Sequence, residues 1–340
     1  MTDDHLPSVP VDAENLPLAP VSLELQRDLT ERWITWLDHQ VALHQIAELT
    51  RDTYRTKIGY WLEYLEQKAR TDKPTPATVQ SYVISVIDAG LEPATTNFYL
   101  NTVKSFYRWC ETVDLYPAIG RSLRSIREFR DGPLPALTHE QIVDLVGLIP
   151  EDTLGNLRDR AMISLMYATA FRTVSVVRAD IQDLNLDRCT LAHQPKGHRA
   201  KDATAIISRP VADLLSRYLE RRKADIGIPL SADLHPLFIA VDRRCAGKRV
   251  TTKSVRRQVL HYMELAGHAI RREGRLVNPG MFSAHSIRRS AAVTTADAVG
   301  LDVAQGLLGH ASIETTKEAY ARVVLERQLR SNADRLNPLK

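Results

Sequence analysis

The sequence predicts a mainly α protein of two domains: a helical N-terminal domain, then a mostly helical, mixed α/β domain with a small β-hairpin sheet. Three observations carry this. The 340 residues exceed one ordinary domain and suit two. Apolar residues recur at helical spacing through most of the chain, and strand-like ends flank one short polar stretch. A segment with arginine at every third position, closed by "DGPLP", lies between the two patterned regions.

Residues 1–22 hold Pro7, Pro10, Pro17 and Pro20 and no helical or strand period, and read as a disordered, acidic tail. Residues 23–118 read as a domain of four helices. Thr50 can cap a helix that carries Tyr54, Ile58, Trp61, Leu62 and Leu65 on one face. Thr75-Pro76 is a cap followed by proline at the first helical position. Val79, Tyr82, Val83, Val86 and Ile87 then form a stripe that Gly90 ends. "EPATTNFYLNTVKSFYRWC" opens a helix at Thr95 or Thr96, with Leu100, Val103, Phe106, Tyr107 and Cys110 as core. Residues 119–137 form a basic linker in which Arg121, Arg124, Arg127 and Arg130 would spread over one side of a helix. A solvated charged face is the plain explanation; a strap along a phosphate backbone is the functional one.

The second domain spans 138–340. Thr138-x-x-Gln141 is a capping box that opens it. Helices are predicted near 139–149, 156–170, 210–224, 252–269, 285–299, 301–308 and 315–332. Between them, "CTLAHQPKGHRAKDATAIIS" has strand-like ends and a polar middle, which predicts a β-hairpin with a basic turn. Leu325, Leu329, Ala333 and Leu336 mark a C-terminal amphipathic helix.

Composition sets the class. No apolar run reaches membrane-span length and no secretory signal opens the chain. Cys110, Cys189 and Cys245 are too sparse for a disulfide framework, and no Cys/His spacing suggests zinc. A reducing cytoplasm is the expectation. Net charge is +4, yet residues 1–26 carry five acids and no Lys or Arg, so the remainder carries +9. A basic body permits a polyanionic partner.

Chemistry-bearing residues cluster at four places in the second domain. Arg172 sits in "YATAFRTVSVVRADIQDL". Lys196, His198, Arg199 and Lys201 lie in the hairpin turn. His285 and Arg288 share a helix face in "SAHSIRRSAAV". His310 and Tyr320 lie in "LLGHASIETTKEAY". Singly, each suits a surface arginine, a solvated turn or a core tyrosine. In this order, the array resembles the tyrosine recombinase, or phage integrase, family over about residues 25–330. "HSIRRSAAV" and "LLGHASIETT" resemble it most, "RDRAMISLMYATAFR" supports it, and the helical first domain resembles the family's core-binding domain.

The resemblance implies a site-specific DNA recombinase that works through a 3′-phosphotyrosine, without metal, ATP or other cofactor. Tyr320 would be the nucleophile, and its ordinary pKa of about 10 means that it needs help to lose its proton. Arg172 and Arg288 would clamp the phosphate oxygens as charge builds on them. His285 would help in proton transfer, and His310 would donate a hydrogen bond to the phosphate. Lys196 would protonate the leaving 5′-oxygen, with Lys201 in reserve. Arg121, Arg124, Arg127, Arg130, Lys201 and Arg289 would touch DNA. The implied partners are a double-stranded recombination site and further copies of the chain, a dimer per site and a tetramer in the synapse, with the C-terminal helix docking in trans; no membrane is implied.

Three positions depart from the family pattern. Ser175 stands where the family carries an acid that would orient the histidine and offset the positive cluster. Ala170 stands at a common glycine. One extra residue precedes Tyr320, which on a fixed helix would turn the side chain by ~100°, so the loop or first turn must absorb it. A type IB topoisomerase-like enzyme and a non-catalytic DNA-binding protein are the rival readings.

Overall fold

A computed structural model describes residues 22–127, 136–195, 198, 200–226, 235–272, 275–276 and 284–308. Two compact units divide the chain, Met1–Arg130 and Asp131–Lys340. The predicted tail, Arg130, Lys196, Arg199, His310, Tyr320 and the C-terminal helix fall outside the described residues.

Among the described residues, unit one contains four α-helices, α1 (Glu24–Ala42), α2 (Glu48–Tyr64), α3 (Pro76–Asp88) and α4 (Pro93–Thr112), with a π-helical turn at Leu65–Ala69 continuing α2. Their apolar stripes meet in one core of Trp33, Ile58, Trp61, Val79, Tyr82, Val103, Phe106 and Tyr107, among others. A polar chain threads it. Trp61 Nε1 donates to the Tyr107 hydroxyl at 3.0 Å, which donates to Gln26 Oε1 at 2.7 Å. The Asp72 carboxylate then accepts from the backbone N–H groups of Leu25 and Gln26, satisfying donors at the start of α1.

Thr75 caps α3 as the sequence indicates, with Pro76 at the first helical position. Two starts differ. Helix α2 begins at Glu48 behind Ala47, so Thr50 lies inside the helix. Helix α4 begins at Pro93, whose fixed φ and missing N–H suit that position, and Thr96 is buried with its hydroxyl on the Glu92 carbonyl. The arginine run is not helical either. Arg121 is in a turn, and residues 123–127 are irregular. Asn97 pins them to α4 by exchanging hydrogen bonds with the Ile126 backbone at 2.7 and 2.8 Å.

Unit two opens with α5 (His139–Gly147), capped by Thr138 and Gln141 as predicted. Helix α6 (Leu154–Thr169), the short α7 (Thr173–Arg178) and strands β1 (Leu184–Asn185), β2 (Thr190–His193) and β3 (Ala203–Ile206) follow. The three strands form one antiparallel sheet, with Leu184 opposite Leu191 and His193 opposite Ala203. Then come α8 (Arg209–Ile226), α9 (Thr252–Leu265), a two-stranded pair β4 (Arg271–Arg272) and β5 (Arg275–Leu276), α10 (Ala284–Val299) and α11 (Leu301–Leu308). The architecture is the predicted one: mainly α, with a helical first unit and a mixed α/β second unit.

Helix α10 is the central piece. Ser286 through Val293 are all buried, and α5, α6, α9 and α11 pack against it. Ser290, Ala291 and Ala292 let those neighbours approach closely, and Ser290 Oγ accepts from the Leu137 N–H at 2.8 Å. No helix among the described residues is long and apolar enough to cross a membrane.

Candidate active site

The site is built where α6 stops. Ala170 ends that helix in the left-handed backbone region, with φ 49° and ψ 31°. This is the position where the family commonly has glycine, the residue that adopts such a conformation without Cβ strain. Phe171 then turns inward, and Arg172 caps the start of α7 with an extended backbone.

Arg288 arrives from α10 and is 3% exposed. Its Nη1 donates to the Ala170 carbonyl and its Nη2 to the Leu308 carbonyl at 2.7 Å. The two arginines, more than a hundred residues apart in sequence, therefore converge on one structural corner. They line two adjoining cavities together with Phe171. One, of about 510 Å³, is also lined by Thr169, Ser175, His193 and the end of α11; the other, of about 450 Å³, by His285, Thr252 and Arg256.

The His285 imidazole is held below its ordinary value, first by burial and then by repulsion from Arg289, Arg288 and Arg172. That repulsion places all three guanidiniums within electrostatic reach of one ring. His285 itself is exposed, and a neutral histidine at the mouth of a cavity, within reach of three arginines, can meet an anion and accept a proton. Among the described residues, no group of three His, Cys, Asp or Glu could hold a metal ion.

The structure thus brings Arg172, His285 and Arg288 together. Lys196, His310 and Tyr320 lie outside the described residues, although Leu308, two before His310, lines the larger cavity. Arg121 pairs with Glu111, and Arg124 and Arg127 are exposed. Two expected DNA contacts differ from a solvent-facing cation. Lys201 Nζ is bound to the Asp180 carboxylate at 2.7 Å and also to Asp183, because the hairpin base folds onto the turn after α7. Arg289 is buried, 6% exposed, since the small residues of α10 draw its neighbours close. Arg256 and His193 were not singled out from the sequence. Arg256 stands one turn beyond Thr252, so the capping box at Thr251 gives its face.

Sequence profiles decide the family. That of the phage integrase family matches residues 135–327, and that of the phage integrase N-terminal SAM-like domain matches residues 33–112. The chain belongs to the phage integrase family. As a member it is a tyrosine recombinase, an enzyme that breaks and rejoins DNA strands in site-specific recombination.

Tyrosine recombinase XerA of Pyrococcus furiosus is 24% identical over 323 residues, covering 93% of this chain and 96% of the relative. A XerH site-specific recombinase bound to its palindromic difH substrate in a post-cleavage complex shares the fold with a TM-score of 0.66, at 20% identity over 92% of this chain and 94% of that one. A lambda integrase tetramer bound to a Holliday junction gives a TM-score of 0.57, at 15% identity over 84% and 76% of the two chains. At these identities the solved structures carry the fold alone. Relaxation of supercoils without strand exchange, and a chain that only binds DNA, are not favoured.

Proposed function

We propose that this phage integrase family member cleaves a scissile phosphodiester of duplex DNA with Tyr320. The phenolate oxygen bonds to phosphorus, the bond from phosphorus to the 5′-oxygen breaks, and a 3′-phosphotyrosine and a free 5′-hydroxyl result. A 5′-hydroxyl from a partner strand reverses the step. The phosphotyrosine keeps the energy of the broken bond, so the chemistry consumes no ATP.

The observation that carries this reading is the convergence of Arg172 and Arg288 beside His285 on one pair of cavities. Attack puts extra negative charge on the non-bridging oxygens, and two preorganised guanidiniums meet it without reorganising. His285, neutral near pH 7, takes the tyrosine proton, and His310 adds a donor to the phosphate. Lys196 protonates the departing 5′-oxygen. Lys201 does not serve there, since two carboxylates hold it and raise its proton affinity despite burial. Exposed Arg124 and Arg127 contribute phosphate contacts that set affinity rather than sequence preference.

On DNA the chain acts as a dimer per site and a tetramer in the synapse, with the C-terminal helix docked on a neighbouring copy. It works on the cytoplasmic DNA of its host. The boundaries read from sequence, 23–118 and 138–340, mark the two DNA-gripping domains.

The test is covalent capture. Nicked duplexes with randomised centres are incubated with the protein, denatured, and the protein-linked strands sequenced. Wild type should retain a defined set through Tyr320, and Tyr320→Phe should bind that set yet retain no strand. An adduct persisting in Tyr320→Phe overturns the assignment.

A further inference from the structure

His193 is the last residue of β2, directly opposite Ala203. Strand alternation puts it on the same face as the fully buried Leu191. Its ring packs against Phe171, with centroids 4.5 Å apart and planes tilted by 40°. Phe171 immediately precedes Arg172. His193, Phe171, Arg172, Ser175 and Arg288 all line the 510 Å³ cavity. The Nδ1 atom of His193 is sealed from solvent and has no hydrogen-bond partner. The ring has a hydrogen bond with the Ala203 backbone, yet its buried Nδ1 is left unpaired at a cost in desolvation, which a leucine or phenylalanine in the same place would not incur. A histidine kept at this cost, against the residue that aims Arg172, points to the site rather than to the core.

We propose that His193 is a positioning residue for DNA cleavage, acting through Phe171 on the placement of the Arg172 guanidinium. The proposal rests on the reading of Arg172 as a phosphate clamp. The peptide from Ala170 to Arg172 turns from left-handed to extended backbone within two residues, and two contacts hold that turn. Arg288 holds the Ala170 carbonyl from one side, and His193 braces the Phe171 ring from the other. Ser175 leaves the site without the carboxylate that would otherwise steady the positive cluster, which places more of the aiming on packing.

The charge state of His193 matters to that role. Burial lowers its proton affinity, opposed by the Ala203 backbone and the charge of Asp202. Arg172 and Arg288 face it across the cavity, and His198, on the far side of Asp202, is paired to that carboxylate at 2.9 Å. The ring is therefore neutral at pH 7. In acid it gains a charge in the cavity that Arg172 and Arg288 also line, and cleavage should fall.

The experiment measures single-turnover adduct formation on a nicked duplex obtained by the covalent capture above, from pH 5 to 8. His193→Gln removes the ring, His193→Phe keeps a ring without a titrating nitrogen, and Arg172→Ala is the control. His193→Gln should cleave at least ~30-fold more slowly with duplex affinity within ~3-fold of wild type, as expected for a displaced catalytic group. His193→Phe should stay within ~5-fold at pH 7.5 and lose one ionisation from the acid limb, the remaining one belonging to the unchanged His285. If His193→Gln does not fold, the acid limb of His193→Phe decides alone. A His193→Gln rate within ~3-fold of wild type, or a His193→Phe profile identical to wild type, overturns the proposal. Normal cleavage by Arg172→Ala would instead overturn the clamp reading, and His193 with it.

Discussion

Arg288 of α10 donates a hydrogen bond to the carbonyl oxygen of Ala170, the left-handed residue that ends α6 two positions before Arg172. One arginine thus fixes the turn that delivers the other. The clamp is built as a single unit, with Arg288 the member that also belongs to the fold: its second bond goes to Leu308 at the end of α11.

This asymmetry separates the two arginines experimentally. Replacing Arg172 by alanine removes a half-buried side chain at a helix start, and stability should change by less than ~1 kcal/mol. Replacing Arg288 by alanine strands the Ala170 and Leu308 carbonyls, costing roughly 1–3 kcal/mol each. Both variants should lose adduct formation by at least ~10²-fold. Urea unfolding beside adduct assays checks this, and equal stability of the two variants would refute it.

Ala170 carries the second prediction. Its left-handed φ costs about 1 kcal/mol relative to glycine, while its fully buried methyl, among Ala291, Ala292, Val293 and Leu308, gains about 0.8 kcal/mol. These offset, so Ala170→Gly should unfold within ~0.5 kcal/mol of wild type and cleave normally. Ala170→Val meets both a worse backbone penalty and a packed helix face, and should lose ~2–4 kcal/mol. The urea midpoints decide it.

How legible this was in the sequence depends on length and on what each signal measures. The cap at Thr75 and the capping box at Thr138 read correctly because the local hydrogen bonds that define them need no tertiary partner. Helix α7, strand β1 and the β4–β5 pair are not legible, since elements this short show no period of their own, whereas the equally short β2 and β3 are marked by the polar turn between them. Arg121 to Arg127 have helical spacing, and Ile119, Leu123 and Ile126 even repeat at i, i+4 and i+7, yet Asn97 holds that segment by its backbone in an irregular course instead. In the site, Arg172 and Arg288 were legible through family resemblance and not through periodicity. His193 was hidden because an inward-facing strand residue looks like core until Phe171 is seen beside it. Ala170 was noted as a missing glycine; only the positive φ shows what the glycine would have done.

Lys201 gives the third prediction. It lies in a partly buried network with Asp180 and Asp183, and Arg249 completes Asp180. Lys201→Ala should lower stability by roughly 1–3 kcal/mol, typical of hydrogen bonds to charged groups, and slow cleavage by less than ~10-fold. Lys196→Ala should leave stability near wild type and slow cleavage by at least ~10²-fold. A substrate with sulfur as the bridging 5′ atom should restore Lys196→Ala, because a thiolate leaves without a proton. Failure of the sulfur substrate to separate the two variants would count against Lys196 as the acid.

The last prediction concerns protons taken up with DNA. In the free protein His285 is held below its ordinary 6.5 by burial and by Arg289, Arg288 and Arg172. For folding, a histidine with a depressed value binds fewer protons folded than unfolded. Its contribution to stability is therefore full above about pH 6.5 and is lost as pH falls through the folded value. A phosphodiester between the arginines reverses the local field and raises the same pKa, so the bound state holds more proton. DNA affinity should then rise as pH falls through the interval between the bound and free values, with net proton uptake inside that interval. Calorimetric titration of a captured duplex in buffers of different ionisation enthalpy measures that uptake. His285→Gln should remove part of it, while His193, unchanged in both proteins, contributes equally. Identical uptake by wild type and His285→Gln would show that the phosphate does not sit beside His285.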